Sequence, residues 1–209
     1  MAIDDLLDEH EQGERVRTWL RNNGAGIIGG VVLGLALIWG CRWWQDQQLG
    51  QRMAAGSTYQ AAVDQLEAGK PAEARPVIAS LPGGTYATLA AMQLAEAQLG
   101  AGKRDDAIAT LRGIEPANPQ LAAVVSERLA RLLLDAGKHQ EALALLQGDA
   151  PGTLAIRGDA YAASGDKARA RDAYARALVG LEVGSPERNL VELKLSEVGG
   201  SPAQTEAGS

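Results

Sequence analysis

The sequence predicts an all-α protein in two parts, a single N-terminal transmembrane helix followed by a stack of amphipathic helix pairs. An uncharged stretch runs from Asn22 to Cys41. After it, Ala/Leu-rich segments with helical spacing alternate with Gly-polar turns. Phe is absent and β-branched runs are scarce, which argues against sheet. With 209 residues, 46% hydrophobic and 22% charged, the chain supports one folded domain beside the apolar stretch. That composition excludes wholesale disorder and a polytopic membrane protein. Lys plus Arg number 20 against 26 Asp plus Glu, a net charge of -6 that opposes binding to phosphate backbones, so no nucleic-acid partner is expected. Two His and one Cys supply neither a disulfide framework nor a zinc ligand set, and no metal or cofactor is expected.

Residues 1–21 form an acidic N-terminal segment carrying Asp4, Asp5, Asp8, Glu9, Glu11 and Glu14. Residues 22–44 are assigned to the transmembrane helix. Its centre, from Ile27 to Ile38, is apolar on every face, and roughly 20 helical residues at about 1.5 Å each cover a hydrocarbon core of about 30 Å. All four Trp flank it: Trp19 on one side and Trp39, Trp43 and Trp44 on the other, with Arg21 and Arg42 beside them, as at membrane interfaces. The acidic leader argues against a cleaved signal peptide. Ile38-Trp39-Gly40-Cys41 is a poor lipoprotein cleavage box because Trp39 is bulky, so Cys41 is read as a packed thiol. Arg15, Arg17 and Arg21 before the span against Arg42 and Arg52 after it favour a cytoplasmic N-terminus. The lack of Cys beyond the span is compatible with an oxidising compartment.

Gly24-Ala25-Gly26-Ile27-Ile28-Gly29 matches a dinucleotide-binding fingerprint, with Asp46 about 20 residues on. That fingerprint needs a buried strand before it, and the charged, helix-spaced stretch Glu14 to Arg21 stands there instead. Gly26, Gly30 and Gly34 are better read as a row of small residues on one helix face, open to close approach by another membrane helix.

Residues 45–198 read as helical repeats. Gly69, Gly102, Gly137 and Gly165 are separated by 33, 35 and 28 residues, near the 34-residue tetratricopeptide period. Five residues after each stands Ala74, Ala107, Ala142 or Ala170; nine after stands Ile78, Leu111, Leu146 or Tyr174; seven before stands Ala62, Ala95, Ala130 or Gly158. Small residues on facing helices bring the backbones together, and the larger residue one turn on fills the groove beside them. Such pairs leave one apolar face uncovered and must stack, so a tetratricopeptide-like α-solenoid is expected. The first-helix aromatic appears only as Tyr161, with Gln65, Gln98 and Leu133 in the equivalent places, and Pro76 is expected to kink or shorten the second helix of a degenerate first pair. Asn118-Pro119 and Ser185-Pro186 open later helices as an N-cap followed by Pro. The last helix is expected to turn Leu190, Leu193 and Val198 to one side as a solubilising cap, before a disordered tail over 199–209.

Catalytic signals are weak. His10 lies in the acidic leader and His139 in a repeat turn, neither beside an obvious nucleophile. Asp105-Asp106 opens a helix where negative charge favours the dipole. Lys167, Arg169, Arg171 and Arg176 are interleaved with Asp166 and Asp172, as on a solvated face. The chain is not expected to be an enzyme.

Taken along its length, the chain resembles the ancillary subunit of the bacterial Sec translocon, the YfgM family. The likeness rests on the acidic leader, Glu14-Arg15-Val16-Arg17-Thr18-Trp19-Leu20-Arg21-Asn22-Asn23-Gly24, the Gly-rich span ending Trp39-Gly40-Cys41-Arg42-Trp43-Trp44, and the Gly165-Asp166-Lys167-Ala168-Arg169 turn. The resemblance implies a single-pass inner-membrane protein with a periplasmic tetratricopeptide-like domain. It implies as partners the Sec translocon subunits and a membrane-anchored periplasmic chaperone of the isomerase type. The expected mechanism is a non-catalytic scaffold anchored among membrane lipids, whose groove holds a partner or an unfolded secretory polypeptide. In the aligned register the groove positions are Met92, Glu96, Leu99, Glu127, Arg131, Leu134 and Asp159. An envelope-assembly or cell-division coordinator with similar repeats, or a membrane-anchored hydrolase, are the alternative readings.

Overall fold

A computed structural model describes residues 2–201; the side chains of residues 2–12 and of Ile27 lie outside the described residues. The readings placed on His10, on the carboxylates before residue 13 and on the tail after residue 201 therefore fall outside them. Nine helices are described: α1 Ala2–Glu67, α2 Pro71–Ala79, α3 Thr85–Gly100, α4 Arg104–Arg112, α5 Pro119–Asp135, α6 His139–Leu145, α7 Pro151–Ala163, α8 Lys167–Gly180 and α9 Pro186–Glu197. The chain divides into two compact units, Met1–Ala54 and Ala55–Ser209.

The first unit is helical throughout its described part. Among the described residues no single helix is long and apolar enough to cross a membrane; Gly13–Gly26 and Ile28–Glu67 meet that test only together, across a bend of 41°. The expected span over 22–44 is thus divided near its start. The bend falls between Gly26 and Ile28, in a stretch where Gly24, Gly26, Gly29 and Gly30 carry no Cβ. Just before it, Asn23 Nδ2 donates to the Trp19 carbonyl at 3.0 Å, a side-chain bond to the backbone one turn back. Gly26 precedes the bend and Gly30 and Gly34 follow it; at all three a Cβ would meet open space.

In the second unit the turns follow one scheme. At the end of α3, Gly102 N–H donates to the Leu99 carbonyl at 2.9 Å and Lys103 N–H to the Gln98 carbonyl at 2.8 Å. The same pair of bonds recurs at Gly137–Lys138 on Leu134 and Leu133, at Gly69–Lys70 on Leu66 and Gln65, and at Gly165–Asp166 on Ala162 and Tyr161. Each is a Schellman closure, which places the glycine in the left-handed region (φ +73 at Gly102 and Gly137) and stops one helix so that the next folds back. The glycine period seen in the sequence is this closure repeated.

The small positions lie where the helices cross. Ala62, Ala74, Ala95, Ala107, Ala130, Ala142 and Ala170 are all buried, and Leu111, Leu146 and Tyr174 are buried beside them while Ile78 is half-buried. Gly158 and Tyr174 are a compensating exchange: a Cβ at Gly158 would fall within the Tyr174 ring, so the fourth pair trades the Ala-plus-Leu combination for Gly plus Tyr. Two cores follow, one through α3 to α7 around Leu129, Leu133 and Ile156, the other through α7 to α9 around Leu154, Tyr174, Leu178 and Leu195. The last turns of α1 are pinned to α3, with Tyr59 and Tyr86 ring centroids 5.4 Å apart and Gln93 Nε2 donating to the Tyr59 hydroxyl at 3.1 Å.

Asn118 caps α5, its side chain accepting from Leu121 N–H at 2.9 Å, and Ser185 caps α9, accepting from Arg188 N–H at 3.2 Å. Helix α2 runs nine residues with Pro76 inside it, against nine in α4 and fourteen in α8; the carbonyl that Pro76 leaves without its helical donor belongs to exposed Ala72, which water can satisfy. Helix α9 buries Val191 and Leu195 and leaves Leu190 and Leu193 exposed, so its register is turned relative to the solubilising cap expected. Its Schellman closure uses Gly199 N–H to the Ser196 carbonyl and Gly200 N–H to the Leu195 carbonyl, so the first residues of the expected tail belong to the fold.

Candidate protein-binding cleft

Helices α3 and α5 flank a cleft of about 390 Å³. One wall is a helical stripe of α3, Met92, Ala95, Glu96 and Leu99; the other is Arg128, Arg131, Leu132 and Asp135 of α5, with Leu111 of α4 contributing to the lining. The i, i+3, i+4, i+7 spacing of both sets places them on single faces. Met92, Ala95, Leu111 and Leu132 are buried members of the first core and make an apolar floor. Leu99 is 40% exposed at the mouth, where the charges gather: Arg128 Nη1 stands 4.0 Å from Glu96 Oε2, and Arg131 and Asp135 are exposed nearby in sequence. An apolar floor with both signs of charge on its rim suits a polypeptide, whose side chains supply both kinds of contact.

The seven groove positions read from the sequence separate. Met92, Glu96, Leu99 and Arg131 line this cleft. Leu134 packs partly buried against the first core. Glu127 accepts the Thr153 hydroxyl at 2.8 Å between α5 and α7, with Arg131 Nη2 at 3.9 Å. Asp159 accepts the Tyr174 hydroxyl at 2.7 Å and Lys194 Nζ at 2.8 and 2.9 Å, tying α7, α8 and α9 together. Repeat register places equivalent residues on the same side of the stack, whereas a cleft between two helices takes one flank from each. For that reason Arg128, Leu132 and Asp135 were missed; they stand one position along from Glu127, Arg131 and Leu134, and the i+3/i+4 pattern of α5 is the signal that carries them.

The Asp159 tether has an electrostatic consequence. Burial, and then the hydrogen bond to Asp159, push the Tyr174 phenol far above its usual range. The unfolded chain releases that proton near pH 10 while the folded one keeps it. Stability is therefore unaffected below about pH 10 and falls above it by about 1.4 kcal/mol per pH unit for this group. Thermal melts of the full chain from pH 8 to 11.5 should show this extra loss in the wild type and lack it in Tyr174→Phe. At the start of α8 the opposite sign holds: Arg169 N–H and then the Arg169 side chain hold the Asp166 carboxyl below its usual range. Arg169 also lies over Tyr161, 4.7 Å from the ring centroid, so this member of the basic cluster belongs to the turn. Arg176 reaches Asp149 Oδ1 at 2.6 Å, and Asp106 of the carboxylate pair stands 3.4 Å from Arg75. Among the described residues no group of three His, Cys, Asp or Glu comes together as a metal site.

Glycine-closed helix pairs, small residues at every crossing and a cleft between first helices define a helical-repeat protein of the tetratricopeptide class. The profile of the tetratricopeptide repeat-like domain family matches residues 17–200, and the chain belongs to that family. It is similar to the ancillary SecYEG translocon subunit of Escherichia coli (strain K12), 30% identical over 125 residues that cover 58% of this chain. The match spans 61% of that relative, less than two thirds of its length. The crystal structure of nearly identical TPR-like repeats from a kinesin light chain-type protein of Podosopora anserina shares the fold at a TM-score of 0.50, with 20% identity, over 71% of this chain and 85% of that one.

Proposed function

We propose that this protein is a membrane-tethered, non-catalytic scaffold that holds proteins at the Sec translocon on the periplasmic side. The observation that carries the reading is the α3/α5 cleft, with its apolar floor and mixed-charge rim, in a chain similar to an ancillary SecYEG translocon subunit. Its partners are translocon subunits, a membrane-anchored periplasmic isomerase-type chaperone and unfolded secretory polypeptides. Tethering fits the first unit, where Ile28, Val31, Val32, Leu33, Leu35, Leu37 and Ile38 are all more than half exposed, an apolar surface that water would penalise and lipid would accept. Trp19, Trp39, Trp43 and Trp44 are exposed around it and suit the headgroup level. Gly26, Gly30 and Gly34 offer open faces to a neighbouring membrane helix. Held this way, with its N-terminus cytoplasmic and its repeats periplasmic, the scaffold acts by raising the local concentration of whatever the cleft holds.

Exchanging charge at the rim with Glu96→Lys and Arg131→Glu together should lower recovery of translocon or chaperone partners about tenfold in co-purification, with the helical content by far-UV circular dichroism retained. Unchanged co-purification from a folded double variant removes the cleft as the binding site.

A further inference from the structure

The exposed face of α9 carries a second surface, remote in sequence from the cleft. Leu190 and Leu193 are 51% and 58% exposed, and Glu187 and Glu197, both exposed, stand one turn beyond them at either end of the same helical stripe. The two cations of α9 are withdrawn from this face. Arg188 donates to Glu192 Oε1 at 2.8 Å and to the Leu178 and Leu181 carbonyls at 2.8 and 3.1 Å, closing the end of α8. Lys194 is engaged with Asp159. What remains outward is an apolar pair bracketed by carboxylates, at the end of a stack where a terminal helix ordinarily turns a polar face to water.

We propose that this face docks a cationic amphipathic helix of a partner polypeptide, with apolar side chains at i and i+3 or i+4 flanked on both sides by Lys or Arg. The charges select this occupant. A second copy packed antiparallel on α9 would bring Glu187 of one protomer beside Glu197 of the other at both ends, a repulsive arrangement. An anionic bilayer surface meets the same repulsion. The chain's own residues 202–209, Pro-Ala-Gln-Thr-Glu-Ala-Gly-Ser, offer no large apolar side chain and add a carboxylate. A cationic helix satisfies both requirements, covering the leucines while its flanking cations meet the glutamates.

The test is a fluorescence-anisotropy titration of the full chain in uncharged maltoside micelles. The probes are a labelled 18-residue amphipathic Leu/Lys helix and its Leu/Glu twin. The wild type should bind the Leu/Lys peptide about tenfold or more tightly than the twin. Leu190→Ser with Leu193→Ser, and separately Glu187→Gln with Glu197→Gln, should each weaken binding about tenfold without changing the far-UV circular dichroism. The charge variant should also lose the salt dependence. Binding unaffected by both pairs of substitutions, equal binding of the twin, or a dimer that dissociates on Leu190→Ser with Leu193→Ser would each overturn the proposal. The rim variant at Glu96 and Arg131 should bind the peptide normally, which separates this surface from the cleft.

Discussion

Gly158→Ala is expected to destabilise the protein by about 2–3 kcal/mol, well beyond the usual effect of adding one methyl group. The added carbon would overlap the Tyr174 ring. That ring cannot yield cheaply, because its hydroxyl is bonded to Asp159 and Asp159 is in turn held by Lys194. Moving the ring opens the second core and loosens the joint between α7, α8 and α9 together. The repeat pattern supplies the remedy. In the second and third pairs the equivalent positions are Ala95 with Leu111 and Ala130 with Leu146, all buried. Combining Gly158→Ala with Tyr174→Leu rewrites the fourth pair in that form. Chemical denaturation should therefore show the double variant less damaged than the sum of the two singles by about 1 kcal/mol or more. Strict additivity would mean that the two positions do not share one space.

Leu133→Ala should cost about 3–4 kcal/mol and lower the thermal midpoint by roughly 6–16 °C. Leu133 is 1% exposed and packs in the core that joins α3 to α7. Its carbonyl also accepts Lys138 N–H at 2.8 Å, closing the turn between α5 and α6. Surrounding helices fixed by their own crossings cannot collapse fully into the space left by the missing carbons. Thermal circular dichroism of the full chain is the measurement, and a loss below about 1 kcal/mol would contradict the packing described.

The helical pairs were legible because their physics is local and repeated. A left-handed closure favours glycine, a close crossing favours Ala, and both requirements recur at a fixed distance, so Gly102 with Ala107 or Gly137 with Ala142 can be read without coordinates. Asn118 and Ser185 were legible for the same reason: a cap acts over three residues. Positions that depend on how one helix is rotated against another were harder to read. Leu190, Leu193 and Val198 share an apolar appearance with Val191 and Leu195, and only the packing of α9 against α8 decides which of them are covered. The cleft shows the same limit. Met92, Glu96, Leu99 and Arg131 follow from repeat register, while the i+3/i+4 pattern of α5 groups Arg128, Leu132 and Asp135 but only the packing shows that this flank faces α3. Asp159 looked like a groove residue because its partners, Tyr174 and Lys194, lie 15 and 35 residues away. The 41° bend at the start of the apolar stretch lies among closely spaced glycines visible in the sequence, but such a cluster does not by itself fix where a helix bends.

Whether the α3/α5 cleft holds another protein is decided by a photo-crosslinking amino acid placed at Leu99, at the cleft mouth, in the full chain expressed in living bacteria. Light-dependent adducts containing a Sec translocon subunit or a periplasmic chaperone are expected, and they should fall away when Glu96→Lys and Arg131→Glu are present. Adducts of unchanged composition and yield in that charge-exchanged background, or no adduct from Leu99 in folded protein, would contradict binding in the cleft.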